Sequence, residues 1–170
     1  MALQASSGLT TPPWHTINWA ACPRQVRSLQ RRIVQAVPAG AWRQGKRRRS
    51  LVVHSCAARA FAVKRGTEHA GNQTPGVENA LWDTPEKNAT AVSRRGPWGG
   101  YRPKPLHRLS SPKKNGTQRP RAIPPMDDRA RQARALHTLQ PSADTTADPH
   151  SYGFRPKRRC AEASDQGWKV

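Results

Sequence analysis

The sequence predicts an α+β fold in which a helical N-terminal region precedes an antiparallel β-hairpin and further helices. Val26, Leu29, Ile33 and Val37 recur at spacings of three and four, which places them on one face of a helix. Asn115-Gly116 lies between two short strand-like runs, and this dipeptide is typical of a tight hairpin turn. Helices are therefore expected first and a hairpin later.

Two helices are predicted in the first third of the chain. The first covers residues 23–37, with Pro23 at a first-turn position and Pro38 and Gly40 at its end. The second covers residues 46–63 and opens on a basic run. Its apolar stripe consists of Val52, Cys56, Ala60 and Val63. The basic run would lie at a helix N-terminus, where the macrodipole opposes positive charge and a phosphate partner would relieve the repulsion. A solvated helix face is the alternative.

A loop and a short helix are predicted next. Residues 67–79 show neither the helical nor the strand repeat of apolar residues, and they are rich in turn-forming residues. Thr84-Pro85-Glu86 reads as an N-cap, a first-turn proline and a favourable acid, so a helix is expected over residues 84–93. The glycine-rich residues 96–100 would end it. Trp98 within them either stacks on a base or packs locally.

The hairpin is predicted from strands over residues 104–111 and 119–124, joined through a type I′ turn in which Asn115 and Gly116 both take positive φ. Cationic side chains gather near its tip and suit phosphate oxygens, because lysine offers a compact charge and arginine a planar fork. The alternative is a set of solvated surface charges.

Asp127-Asp128 invites a metal-binding assignment, because polymerases hold metal ions with paired carboxylates. The pair instead precedes a helical stretch that runs to about Leu139, so we predict an N-cap and first-turn charges. A turn is expected at residues 139–142. No metal site is predicted.

Composition indicates a polyanionic partner. The formal net charge is +20, with 30 Lys and Arg against 10 Asp and Glu, and each neutralised phosphate adds affinity by releasing counterions. The apolar fraction of 35%, with 16 Pro and 12 Gly, predicts a thin core. A basic disordered chain or a ribosomal-type RNA-binding protein stays open as an alternative.

Cysteine spacing and the distribution of apolar residues argue against several classes of protein. Cys22, Cys56 and Cys160 form no C-x-x-C pair, so neither a disulfide framework nor a zinc knuckle is predicted. The first 13 residues lack the charged start and apolar core of a secretory signal, and no apolar run reaches the roughly 20 residues of a membrane span. We therefore expect an intracellular, cytoplasmic protein that does not bind membranes.

Five segments resemble group II intron-encoded reverse transcriptases, also called maturases. In order these are W-x-x-I-x-W from Trp14, V-R-S-L-Q-R-R-I from Val26, T-P-G-V from Thr74, P-K-K-N-G-T-Q-R-P-R-A-I-P with D-R-A-R-Q, and A-D-P-H-S-Y-G-F-R-P-K-R from Ala147. The resemblance implies an incomplete reverse-transcriptase right hand that stops before the palm. It implies a disordered leader at 1–13, an N-terminal domain at 14–83, a fingers fragment at 84–160 and a truncated tail at 161–170.

Site residues follow from the same resemblance. A template lid is implied at Gly71, Thr74, Pro75, Gly76 and Val77, and a plain surface turn built on Pro75-Gly76 is the alternative. A grip on the incoming nucleoside triphosphate is implied at Lys113, Lys114 and Arg119. Template or RNA contacts are expected at Arg31, Arg32, Lys46, Arg47, Arg48, Arg49, Tyr152, Phe154, Arg155, Lys157 and Arg158. For the last segment, a turn that packs Phe154 into the core is the alternative.

The resemblance implies an N-terminal maturase fragment that binds intron RNA, an RNA template or a DNA primer, without polymerase activity of its own. The family acts in intron splicing and retrohoming. A component of an active RNA-directed DNA polymerase, completed by a palm in trans, is one alternative, and a non-enzymatic basic RNA-binding or disordered protein is another. No cofactor is expected in this fragment, and Mg²⁺ is expected only for the complete polymerase.

Polar residues replace apolar ones of the family at positions expected to be half-buried. These are Ser110-Ser111, Arg121-Ala122, Arg131 and Arg134. Each unsatisfied polar group costs on the order of 1 to 3 kcal/mol. Marginal stability is therefore predicted.

Overall fold

A computed structural model describes residues 13–38, 40–68, 71–93 and 101–168. A 3-10 turn at Trp14–Thr16 opens the described chain. The helices are α1 (Ala21–Ala36), α2 (Trp42–His54), α3 (Cys56–Glu68), α4 (Pro85–Ser93), α5 (Met126–Thr146) and α6 (Cys160–Gly167). One antiparallel hairpin joins β1 (His107–Pro112) to β2 (Gln118–Ile123). The α+β prediction is therefore confirmed. Most of the predicted leader, together with residues 96–100 and Trp98, lies outside the described residues.

The core forms where α1, α2, α3 and α5 pack against one another. One cluster of buried side chains includes Val26, Ile33 and Val52, and a second includes Ala60, Val63 and Val92. Most of the buried hydrophobic side chains in the described chain are alanine or valine, so each contributes little apolar area. The core is thin, as the composition predicts.

The first helix matches its prediction within two residues at each end, but the second prediction is wrong in one respect. Residues 46–63 do not form one helix, because the chain is extended at Ser55 (φ −63°, ψ 129°) between α2 and α3. The Ser55 hydroxyl accepts a 3.4 Å hydrogen bond from the Ala58 N–H and so caps α3. Cys56 begins α3 and is exposed, so it does not belong to the apolar stripe.

The start of α2 also differs from the prediction. This helix begins at Trp42, one turn before the basic run at residues 46–49. The run therefore lies beyond the first turn, where the dipole effect has faded. The predicted electrostatic conflict at a helix opening does not arise.

The short helix over residues 85–93 is confirmed, together with its cap. The Thr84 hydroxyl accepts a 3.4 Å hydrogen bond from the Lys87 N–H, and the Thr84 carbonyl accepts one of 3.1 Å from Asn88 N–H. Glu86 lies in the first turn, where the helix dipole favours an acid.

The hairpin is confirmed but its turn type is wrong. Gly116 has φ of 78°, whereas Asn115 is not among the described residues with positive φ. Gly116 N–H donates to the Lys113 carbonyl at 3.0 Å, and Lys113 N–H donates to the Thr117 carbonyl at 2.9 Å. This is the three-residue loop in which a type I turn is followed by a left-handed glycine. Asn115 instead accepts hydrogen bonds from Thr117 through its side chain.

Helix α5 is longer than predicted, because it continues through Pro141 to Thr146 rather than turning at residues 139–142. Pro141 has no N–H, so the His137 carbonyl four residues earlier loses its helical donor. The Gln30 side chain of α1 replaces that donor, with Nε2 lying 2.8 Å from the His137 oxygen. A long-range contact thus keeps the helix intact.

Cys22 is buried, Cys56 and Cys160 are exposed, and all three are free thiols. Burial raises the pKa of the Cys22 thiol, with a smaller contribution from Cys56. Within the described ranges, no helix combines the length and the apolar character that a membrane crossing requires.

Candidate nucleic-acid interface

The implied lid residues lie in a loop between α3 and α4, and we call residues 71–78 of this loop the lid. The loop predicted over residues 67–79 begins later than expected, because α3 continues to Glu68. Its backbone bends through hydrogen bonds from Thr74 N–H to the Gly71 carbonyl (3.3 Å) and from Asn79 N–H to the Gly76 carbonyl (3.1 Å). Gly76 is buried, whereas Val77 is 54% exposed. The loop therefore has a buried backbone at Gly76 and an apolar side chain at Val77 that faces solvent.

Arg129 fixes this loop to the start of α5. Its Nη1 donates to the Gly71 carbonyl at 3.0 Å and its Nη2 to the Thr74 carbonyl at 2.5 Å. Its Nε donates to the Pro124 carbonyl, 2.9 Å away, at the end of β2. Partial burial lowers the pKa of Arg129, yet a guanidinium remains charged in proteins. One side chain thus joins the lid, the hairpin and α5.

Gly76 contributes a second, steric link. A Cβ built on Gly76 would lie 2.7 Å from the Pro125 Cα and 2.8 Å from the Pro125 nitrogen. Both atoms belong to the backbone and cannot move aside like a flexible side chain. Only glycine lets the lid approach the α5 N-terminus this closely.

Further contacts attach the lid to the base of the hairpin. Nδ1 of His107 in β1 lies 3.4 Å from the Pro75 carbonyl oxygen. Lys104 pairs with Glu78, and both side chains are partly exposed. The lid and the hairpin therefore form one continuous surface.

The cationic side chains at the hairpin tip are exposed to solvent. Lys113, Lys114 and Arg119 are all exposed, and Arg119 lies opposite Ser111 across the two strands. Most residues on both faces of the hairpin are exposed, so it projects from the helices. This corrects the expected burial cost at Arg121-Ala122, because both residues are exposed.

Asp128 serves structure in a way the sequence did not indicate. It is 5% exposed and accepts hydrogen bonds from the Tyr101 hydroxyl and, at 3.3 Å, from Lys104 N–H. The N-cap of α5 is Pro125, so the predicted capping role is wrong, although both acids lie in the first turn as expected. Among the described residues, no cluster of three His, Cys, Asp or Glu side chains could hold a metal ion.

The basic residues of α1 and α2 form a separate region. Arg31, Arg32, Lys46 and Arg47 are exposed. Arg48 and Arg49 are half-buried, and Arg48 donates to the Arg32 carbonyl and to Gln44 Oε1. Arg48 therefore ties α2 to α1, whereas Arg47 faces solvent.

The segment after α5 is held by Arg155. Its guanidinium donates to the backbone carbonyls of Asp144 (2.8 Å), Asp148 (2.9 Å) and Ser151 (3.1 Å), and its Nε lies 3.4 Å from Asp144 Oδ1. These bonds occupy the side chain that the sequence assigned to RNA. Lys157 is exposed, and Arg158 lies over the Tyr152 ring at 5.4 Å from its centroid.

Phe154 is fully exposed, with φ of 59°. The alternative in which it packs into the core is therefore wrong. Its ring is open to solvent and to a stacking partner.

The predicted site residues thus fall into three regions. The lid and hairpin lie at the N-terminal end of α5, and residues 151–158 follow its C-terminal end. Since α5 has 21 residues, these two regions lie about 30 Å apart at 1.5 Å per residue. Arg129 and Asp128, which join the first region, were missed as site residues. A positive charge in the first turn of a helix was the available signal, because the dipole disfavours it there.

Two comparisons with known proteins found similarity to this chain. Residues 14–94 match the family described as the N-terminal domain of reverse transcriptase. The chain is also similar to Protein YkfC of Escherichia coli (strain K12), with 42% identity over 60 residues. That stretch covers 35% of this chain and 16% of YkfC, so the chain matches only a small part of its relative. Residues 14–94 are therefore similar to the N-terminal domain of reverse transcriptase.

Proposed function

We propose that this chain is the nucleic-acid-binding N-terminal part of a group II intron reverse transcriptase, or maturase, and that it binds intron RNA or a primer-template. The three hydrogen bonds of Arg129 carry the proposal, because they hold lid, hairpin and α5 as one surface. A net charge of +20 favours a polyanionic partner. An RNA partner also implies that the chain acts in the cytoplasm, in intron splicing and retrohoming.

Within this proposal the three regions have different roles. The lid covers the template, and Val77 offers it an apolar contact. The four exposed cations assigned above on α1 and α2, together with four residues that follow α5, contact RNA backbone and bases: Arg31, Arg32, Lys46 and Arg47, and Tyr152, Phe154, Lys157 and Arg158. Arg48 and Arg155 act indirectly, by keeping these elements in place.

The hairpin tip grips the incoming nucleoside triphosphate. Lys113, Lys114 and Arg119 are exposed on a projecting hairpin, so they are free to approach a polyphosphate. Nucleotide addition itself requires paired carboxylates and Mg²⁺. Asp128 is engaged with Tyr101 and Lys104, so we assign that chemistry to palm residues outside this sequence.

The test of RNA binding is a salt titration with a fluorescently labelled single-stranded RNA. The double variant Lys46→Gln/Arg47→Gln removes two exposed cations of α2. We expect weaker binding and a plot of log affinity against log salt that is shallower by about 1.4, since each lost contact to a single strand contributes about 0.7.

Arg24→Gln/Lys87→Gln is the matched control. It removes the same charge from an exposed part of α1 and from α4, and it should leave the slope close to that of the parent protein. Equal slopes for both double variants would contradict the assigned surface.

The nucleotide grip needs a separate measurement. A fluorescent deoxynucleoside triphosphate is titrated into the RNA-bound chain and into its Lys113→Gln/Lys114→Gln/Arg119→Gln variant. We expect at least a tenfold loss of nucleotide affinity and an RNA affinity within about twofold, because the cations contact phosphates of the nucleotide. A parallel loss of both affinities would place the tip on RNA instead.

A further inference from the structure

A groove lies where α1, α3 and the C-terminal half of α5 meet, and Arg31 is the residue that its lining shares with the three regions above. Its cavity volume is about 760 Å³. It is lined on α5 by residues 137–145. Since Arg129 precedes Pro141 by 12 positions, the groove lies about 18 Å along α5 from the lid, at 1.5 Å per residue.

The groove is cationic. Arg27 and Arg31 line it from successive turns of α1, and Arg65 lines it from the end of α3. None of these three arginines forms an ion pair among the described residues. The acid in the lining, Asp144, is already held by Arg155 at 3.4 Å. An anionic ligand would therefore meet three uncompensated charges.

The groove also has an aromatic wall. Phe61 of α3 is half-buried and stacks on His137, with ring centroids 5.1 Å apart and an interplanar angle of 25°. Burial, with a smaller effect of Arg65, lowers the pKa of His137 and so favours the neutral ring. Its Nε2 is buried and has no hydrogen-bond partner among the described residues. A flat aromatic surface thus lies beside a ring nitrogen, Nε2 of His137, that can still form a hydrogen bond.

Amide side chains complete the lining. Gln30 is fixed by its bond to the His137 carbonyl, and Gln35 and Gln140 also line the groove. Amides both donate and accept, which suits the edges of bases. Together, free arginines, an aromatic wall and amides are what a protein uses to hold unpaired nucleotides.

We propose that this groove binds an unpaired segment of RNA, with phosphates on Arg27, Arg31 and Arg65 and a base against Phe61. The inference rests on the proposed RNA-binding function and adds a second site to it. A volume of about 760 Å³ accommodates one or two nucleotides rather than a duplex. The groove selects single strands, because a base must leave its stack to reach Phe61.

The experiment compares a labelled single-stranded RNA, a duplex RNA of equal length and an acidic peptide as ligands of the full chain. Arg27→Gln/Arg65→Gln, which leaves Arg31 of the α1 and α2 region unchanged, should weaken single-strand binding about tenfold and flatten its salt slope by about 1.4, for two lost phosphates. Phe61→Leu should weaken it about fivefold with an unchanged slope, because stacking releases no counterions. Duplex affinity should change less than twofold in both variants.

Arg24→Gln/Lys87→Gln is again the charge control, and melting temperatures within a few degrees of the parent establish that each variant folds. RNA that contains 5-iodouracil should crosslink to the peptide that carries Phe61, which reports the location without any variant. Duplex binding lost as strongly as single-strand binding would overturn the proposal, and so would a loss restricted to the acidic peptide. If Lys46→Gln/Arg47→Gln weakens RNA binding and the groove variants do not, only the groove proposal falls.

Discussion

Arg129 lies in the first turn of α5, where the helix dipole opposes a positive charge, and three backbone carbonyls account for its position. The sequence shows the arginine but cannot indicate which carbonyls accept its hydrogen bonds, because Gly71 and Thr74 lie 58 and 55 residues away. Gly76 is similar. Its place in a loop was predictable, whereas its contact with Pro125 was not.

Arg129→Lys tests the forked contact at this position. Lysine keeps the charge but cannot reach three carbonyls from one planar group. We expect the free energy of unfolding to fall by about 2 to 4 kcal/mol, since hydrogen bonds that involve charged groups contribute about 1.5 to 3 kcal/mol each and are not additive. Urea denaturation measures the change, and Arg121→Lys, at an exposed position of β2, is the control. Equal stability of Arg129→Lys and the parent would refute the role of Arg129.

Gly76→Ala tests the close approach of the lid to α5. The added methyl would lie 2.7 Å from the Pro125 backbone, so we expect a loss of about 1 to 3 kcal/mol from overpacking. Gly66→Ala is the matched control. It places a methyl in α3 with nothing within 4 Å, and alanine should stabilise the helix there by about 0.5 to 1 kcal/mol. Thermal denaturation should therefore shift in opposite directions for the two variants, and a shift in the same direction counts against this packing.

His137 predicts a dependence of stability on pH. Its pKa is lowered in the folded chain, by burial and then by Arg65, from an ordinary value of 6.5. The unfolded chain therefore binds a proton first as the pH falls. The stabilising contribution is complete above pH 6.5 and is lost as the pH falls toward the folded pKa, at up to about 1.4 kcal/mol per pH unit.

Chemical denaturation between pH 8 and pH 5 measures this effect. His137→Gln should have a flatter profile than the parent, and His150→Gln, at an exposed position, should have the parent profile. Identical profiles for all three proteins would exclude His137 as the group responsible.

At the scale of elements, local sequence signals predicted which helices and strands form better than they predicted where each one begins and ends. The hairpin and α4 follow from signals within a few residues, namely Asn115-Gly116 and Thr84-Pro85-Glu86. Local signals do not predict the break between α2 and α3 at Ser55, and they do not predict that α5 continues through Pro141. The first depends on one serine cap, and the second on a glutamine 107 residues away.

The Gln30 contact to α5 is testable by a double-mutant cycle. Gln30→Ala leaves the His137 carbonyl without a donor, which should cost about 1 to 3 kcal/mol. In a Pro141→Ala background the residue at 141 supplies an N–H, so the same change should cost much less. Denaturant titration of the four proteins gives the coupling energy. A coupling near zero would show that Gln30 does not compensate for Pro141.

At the scale of the whole molecule, the sequence predicted a basic chain with a thin core, and it placed a lid before a hairpin. It did not predict the groove, because that site needs residues of three helices that only the packing of α1, α3 and α5 brings together. The burial cost expected from polar replacements applies to Arg131 and Arg134 rather than to the hairpin. Arg134 is buried, and burial, with Arg131 and Arg59, lowers its pKa.

Hydrogen–deuterium exchange of the full chain, free and saturated with single-stranded RNA, tests the central claim that these regions form an RNA-binding surface. We expect slower exchange on RNA binding in the lid at residues 71–78, in α2 around residues 46–49 and beside the groove in α1. The hairpin tip should change little until a nucleoside triphosphate is added. Protection absent from all of these segments, while RNA binding persists, would contradict the account.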